Sequence, residues 1–258
     1  MNTQTIKLLP TAPFDLNLTA RYQASYLQED GLESYKNGVY ARLMPRKYRT
    51  LLVRTTGYGI PDQPEMSVEV IGKELSLKSA QDAANEMGRL LGIEDDVTDF
   101  YRIASKDPQL SILCERLYGL HSPRSASILE ALVTAIAGQK IAAAAARAVR
   151  AALVQEYGVP ITWENITYRA FPSAEALASA GVIGLRKCKL STRKAEYILE
   201  VARSIHEGYL DLEGLRNLPA EEFEAQIMDL RVVGHWTAPW LLIRGLGHPN
   251  AFPAGDLA

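Results

Sequence analysis

The hydrophobic period of this chain changes once, and that change limits the folds open to it. Before residue 100 the apolar residues alternate. Val39-Tyr-Ala-Arg-Leu-Met44, Arg49-Thr-Leu-Leu-Val-Arg54 and Met66-Ser-Val-Glu-Val-Ile71 read as strands, with Pro45-Arg-Lys-Tyr48 as a turn. Ser79-Ala-Gln-Asp82 has the form of a capping box opening a helix through Leu91. From about residue 107 the strand pattern stops. Ile128, Leu129, Leu132, Val133 and Ile136 recur at helical spacing, and the Ala-rich stretch from Ile141 to Val154 allows close helix packing. Ser173 and Ser191 are N-cap candidates, and the helix after Ser191 carries Ala195, Ile198, Leu199, Ala202 and Ile205 on one face. Pro219 suits the first turn of a further helix ending near Leu230. The expected architecture is α+β: an antiparallel sheet with at least one helix over residues 1–106, then an all-helical domain over 107–258.

At 258 residues, with 47% hydrophobic and 22% charged, the chain can bury a core and is too well mixed to be disordered. The uncharged apolar run from Ala131 to Gln139 is far short of the ~20 residues of a membrane span. No basic flank and apolar core open the chain, and Cys114 and Cys188 cannot build a disulfide framework or a four-thiolate cluster. A reduced, cytoplasmic protein is expected. His121, His206, His235 and His248 lack ligand spacing, so no metal site is expected. The net charge of −2 is not that of a nucleic-acid binder taken whole. One stretch runs against it: Arg186, Lys187, Lys189, Arg193 and Lys194 cluster without an acid. The cluster reads either as a solvated loop and helix start or as a phosphate-facing patch.

The segment Leu230-Arg-Val-Val-Gly-His-Trp-Thr-Ala238 is the most informative. A helix ends, a Gly-containing turn follows, and Trp236 to Leu246 reads as a new helix. In such a helix-hairpin-helix, backbone N–H groups at the turn can hold a phosphate oxygen without side-chain charge. Trp236 and Trp240 lie four apart on one helix face, as core residues or as an aromatic wall. Asp256 follows in a Pro/Gly-rich loop, where a carboxylate is commonly a helix N-cap.

Together these stretches resemble the helix-hairpin-helix DNA glycosylase superfamily, and within it the 3-methyladenine DNA glycosylase II type. Leu132-Val-Thr-Ala-Ile-Ala-Gly-Gln-Lys-Ile141 is similar to the family's helix ending in a Gly-Gln turn, and Gly184-Leu185 with Ser191-Thr-Arg-Lys-Ala-Glu-Tyr-Ile198 to its central helix entry. Val233-Gly-His-Trp-Thr-Ala238 is similar to the hairpin, and Phe252-Pro-Ala-Gly-Asp-Leu257 to the catalytic loop. Tyr40-Ala-Arg42 and its sheet resemble the N-terminal domain, so the likeness covers nearly the whole chain.

The resemblance implies a TATA-binding-protein-like sheet domain followed by a glycosylase domain. It implies a base-excision-repair enzyme that flips an alkylated purine, of 3-methyladenine or 7-methylguanine type, and hydrolyses its N-glycosidic bond. Asp256 would be the catalytic carboxylate facing the developing oxocarbenium ion, with Trp236 and Trp240 as the base pocket. Lyase relatives carry lysine where Trp236 stands, which implies a monofunctional enzyme leaving an abasic site. Gln139, Lys140, Val232, Gly234, His235, Thr237, Arg193 and Lys194 would meet DNA, with Gln139 and Lys140 as alternative plugs for the gap left by the flipped base. The partner would be double-stranded DNA, the chain a monomer in the cytoplasm with the bacterial nucleoid, or in a eukaryotic nucleus. No cofactor is required, with a monovalent cation at the hairpin left open.

The pattern also departs from the family. Val232 stands where the hairpin usually has its first glycine, and Arg231 where proline is common. A positive φ at that glycine would strain valine. The chain stops at Ala258, where the family continues into helices that cover the pocket, so a domain lacking those helices is expected. A non-catalytic damage binder, an inactive fragment and a helical protein without a nucleic-acid role are the alternatives.

Overall fold

The computed structural model describes residues 1–25, 31–46 and 49–254, which form two units. The first holds residues 1–25 and 33–123, the second residues 31–32 and 124–254.

The first unit is built on five antiparallel strands: β1 (Asn2–Leu8), β2 (Glu33–Lys36), β3 (Val39–Arg46), β4 (Arg49–Ile60) and β5 (Gln63–Gly72), in the order β1-β5-β4-β3-β2. The three strands expected from alternation are the central ones. They run longer than expected, and Pro45 pairs with Thr50 inside the ladder instead of turning. Lys47 and Tyr48 lie outside the described residues. Helix α1 (Leu16–Ser25) precedes β2, and α2 (Leu77–Leu91) buries Ala80, Ala83, Ala84, Met87, Leu90 and Leu91. α2 starts before the expected capping box. Ser76 is the N-cap, its hydroxyl accepting from the Ser79 N–H at 3.1 Å, so Ser79 lies in the first turn.

Helices α3 (Thr98–Ala104) and α4 (Pro108–Arg116) follow. The unit ends at Pro123, not at residue 106. Hydrogen bonds hold the extra stretch: Tyr118 donates to Asp62 at 2.6 Å, the Gly119 N–H to the Tyr101 hydroxyl at 2.9 Å, and buried His121 meets the carbonyls of Gly92 and Pro13.

The second unit contains α5 (Ile128–Gly138), α6 (Ala143–Tyr157), strands β6 (Pro160–Trp163) and β7 (Ile166–Arg169), then α7 (Ala174–Lys187), α8 (Thr192–His206), α9 (Ala220–Met228) and α10 (Thr237–Leu241), which runs on as a π-turn over Leu242–Leu246. Ser173 and Ser191 cap α7 and α8 as expected, accepting from Ala176 and Lys194 N–H groups. The core gathers Ile128, Leu132, Ile136, Leu153, Leu177, Ile198, Phe223 and Leu241.

The all-helical expectation is corrected by the β6–β7 hairpin. Each strand has four residues, and Glu164 and Asn165 between them both have positive φ (48° and 63°). This is the backbone of a tight primed hairpin turn, written with Glu-Asn instead of the glycine-containing pair that marks such turns in a sequence.

Candidate nucleic-acid interface

Helix α5 is fixed at its start from two sides. Ser127 caps it, its hydroxyl accepting from the Glu130 N–H at 3.0 Å, and the Glu213 carboxylate accepts from the Ile128 N–H at 2.7 Å and the Leu129 N–H at 3.3 Å. A carboxylate at a helix N-terminus also meets the positive end of its dipole. At the far end, Gln139 is the C-cap and Lys140 follows in the left-handed region (φ 55°), exposed before α6. Holding a lysine there costs about 1 kcal/mol.

The turn between α9 and α10 is closed by the Val233 N–H donating to the Leu230 carbonyl at 2.8 Å and the Ala238 N–H to the Gly234 carbonyl at 3.1 Å. Among the described residues, the backbone N–H groups of Gly234 and His235 have no hydrogen-bond partner, and both residues are exposed. Val232 keeps its φ out of the left-handed region, so the expected strain does not arise. Gly234 likewise has no positive φ, and a Cβ there would meet nothing within 4 Å.

Side chains draw three segments to one place. Gln139 Nε2 lies 3.5 Å from the Val232 carbonyl and 3.4 Å from Thr237 Oγ1, two long donations that turn the amide toward the hairpin. Thr237 itself is buried, so its hydroxyl serves this internal tie. Lys194 donates from Nζ to the Ala137 carbonyl at 2.8 Å, and burial holds its pKa below the usual lysine value. That lysine therefore ties α8 to the end of α5. Arg193 stays exposed and donates from Nε to the Tyr197 hydroxyl at 2.7 Å. Of the rest of the basic cluster, Arg186 and Lys187 occupy the last turn of α7, where cations complement the helix dipole, and Lys189 has a φ of 66°.

Trp236 and Trp240 stack, with ring centroids 6.2 Å apart and planes 28° from parallel. Trp240 packs on the core, whereas the Trp236 indole N–H is shielded from solvent and has no hydrogen-bond partner. Beyond the π-turn, Gly247 is left-handed (φ 78°). A Cβ there would fall 1.7 Å from Arg124 Nε, so only glycine fits. Asp256 lies outside the described residues.

Residues 133–258, which contain all of these side chains except Arg124 and Ser127, match the family described as HhH-GPD superfamily base excision DNA repair protein. Over those residues, just under half of its length, the chain is similar to this superfamily. Among curated relatives, a DNA-3-methyladenine glycosylase of Bacillus subtilis is 33% identical over 165 residues, 64% of this chain and 54% of that one. A probable bifunctional transcriptional activator/DNA repair enzyme AlkA of Mycobacterium tuberculosis is 27% identical over 230 residues, 88% of this chain and 44% of that one. The chain thus spans about half the length of these curated relatives. A solved 3-methyladenine DNA-glycosylase from Archaeoglobus fulgidus superposes with a TM-score of 0.82 at 27% identity, covering 98% of this chain and 82% of that one.

Three residues of this region carry little signal in the sequence. Arg231, noted only as a departure, has its guanidinium carbon 5.6 Å from the Tyr197 ring centroid, and Tyr197 is the residue to which Arg193 bonds. The i, i+4 spacing of Arg193 and Tyr197 was the available signal for that half. Glu213 gave none, since its role depends on the distant N-terminus of α5. Among the described residues, no group of three His, Cys, Asp or Glu could hold a metal ion, and no helix is long and apolar enough to cross a membrane.

Proposed function

We propose that this protein is a monofunctional DNA glycosylase of base excision repair, acting on alkylated purines of the 3-methyladenine and 7-methylguanine type in double-stranded DNA. One observation carries the reading: the stacked Trp236–Trp240 pair stands beside a hairpin turn with unbonded N–H groups, and its outer indole N–H is shielded and unpaired. Electron-rich rings attract a cationic alkylated base by stacking and cation–π contact. The free N–H groups of Gly234 and His235 hold a backbone phosphate oxygen. The names of the Bacillus and Archaeoglobus relatives support the same substrate class.

In this reading the alkylated purine leaves with the bonding electrons of its glycosidic bond, and positive charge develops on the sugar. The Asp256 carboxylate stabilises that charge and orients or deprotonates the attacking water, whose oxygen bonds to the anomeric carbon. The leaving base is already cationic, so no strong acid is needed. Position 236 offers no amine for a covalent intermediate, and the product is an abasic site in an uncut strand. Hydrolysis requires no cofactor, and the chain acts as a monomer.

The test is a single-turnover incubation with methylated duplex DNA, assayed for free 3-methyladenine and 7-methylguanine. Release is expected from the unaltered chain, falling at least ~10²-fold in Asp256→Asn. Equal release by both removes the catalytic role of Asp256. Tight binding to abasic-analogue DNA without release identifies a damage binder in place of an enzyme.

A further inference from the structure

Arg193 opens α8 and Arg231 lies in the turn after α9, 38 positions apart in sequence, yet both guanidinium groups converge on Tyr197. The Arg193 Cζ is 5.5 Å and the Arg231 Cζ 5.6 Å from the ring centroid, and Arg193 also bonds the phenol oxygen at 2.7 Å. Both arginines are exposed and Tyr197 is half-buried. Among the described residues neither guanidinium has a carboxylate within ion-pair distance. Two like charges are therefore held beside one ring with no ion-pair partner among the described residues. The ring supplies attraction to each cation and fixes two long side chains that would otherwise swing freely. Such an arrangement fits an anion that brings the missing charge, and guanidinium forks match phosphate oxygens.

We propose that Arg193, Tyr197 and Arg231 form a phosphate clamp that grips the DNA backbone beside the hairpin, as a site separate from the hairpin N–H groups. The inference rests on the DNA-binding reading above; it adds Tyr197 and Arg231 and gives Arg193, already expected to meet DNA, its partners. The clamp takes phosphodiester oxygens, with no preference for the base. It contributes to docking and leaves the chemical step alone. Neighbouring Lys194, committed to the Ala137 carbonyl, takes no part in it.

The test measures affinity for a duplex carrying an abasic-site analogue, as a function of salt. The variants are Arg193→Ala, Arg231→Ala, the double variant, and Arg203→Ala, which removes an equal charge from the exposed far end of α8. Each clamp variant is expected to bind about tenfold more weakly at ~0.1 M salt. The slope of log K against log salt should fall by about 0.9 per arginine, while Arg203→Ala keeps the parent slope. Unchanged slope and affinity in the double variant, by a chain that binds DNA, overturn the clamp and leave the glycosylase reading standing. An equal loss in Arg203→Ala also overturns it, because any surface cation would then serve. If the unaltered chain binds no DNA at all, the glycosylase reading fails and the clamp with it.

Discussion

In the first unit, charge is turned inward. Arg42 and Glu33 are both fully buried and face each other across β2 and β3, and Gln23 of α1 donates to the same carboxylate at 3.0 Å. In the second unit, Lys140, Arg193 and Arg231 stand exposed on three chain segments that internal bonds draw to one place. The contrast separates two uses of a cation. A buried pair fixes how strands and a helix meet and has little left to offer a ligand. An exposed cation, positioned by a ring or by a strained backbone, adds little to stability and remains free for a phosphate.

Glu33→Ala breaks the inward arrangement and carries the largest expected effect. It leaves a guanidinium buried without its main counter-charge, which costs about 3–5 kcal/mol in unfolding by urea. Base release per folded molecule should not change. A loss of release in folded protein would show that the first unit's buried polar group shapes the chemistry after all.

Trp236→Ala breaks the outward arrangement. Its indole stacks on Trp240, it is not part of the core cluster, and its N–H has no partner to lose, so stability should move little. Stacking on a base is worth about 1–3 kcal/mol, so base release at subsaturating enzyme should fall roughly 10- to 100-fold. A parental rate in this variant would return both tryptophans to core packing.

A pair of glycine substitutions sharpens the comparison within the second unit. Lys140 has the positive φ that glycine tolerates and Val232 does not. Lys140→Gly should raise unfolding free energy by up to about 1 kcal/mol while weakening DNA binding. Val232→Gly should lower unfolding free energy by about 1 kcal/mol, since it relieves nothing and loosens the unfolded chain. If both variants lose stability, the left-handed Lys140 is not a strained position.

These positions also show which parts of the molecule the sequence could reveal. Ser173, Ser191 and the face of Ala195, Ile198, Leu199 and Ala202 were legible because caps and helical period are local properties. So were the central strands, whose alternation sets which side chains enter the core. β1 was not read, since its Thr-Gln-Thr-Ile-Lys-Leu alternation is mostly polar and only Ile6 of the strand is buried. β6 and β7 escaped because four residues are too few to show a period. Ser79 took the place of Ser76 as the cap because two serines three residues apart stand at the start of α2. In the site, Trp236 and Gly234 came from motif and spacing. The Lys194 tie and the Arg231–Tyr197 contact join residues distant in sequence, and only packing brings them together.

Lys194 gives the smallest effect and the one that separates it from its neighbour Arg193. Burial holds its pKa below the ordinary lysine value, so between the two values the unfolded chain binds more protons than the folded one. Its contribution to stability therefore rises with pH through that window. At lower pH the lysine is charged in both states and its burial is a constant cost. Tyr101 and Tyr157 act in the opposite sense, because burial raises their values and stability falls as pH climbs through the ordinary tyrosine range. The difference between the parent and Lys194→Met isolates the lysine. Urea unfolding from pH ~8 to ~10.5 should show the parent gaining stability relative to the variant as pH rises. Arg193→Ala, whose guanidinium stays charged throughout, should give a flat difference. A flat difference for Lys194→Met as well would mean that its ammonium faces water, and would restore it to the outward set with Arg193 and Arg231.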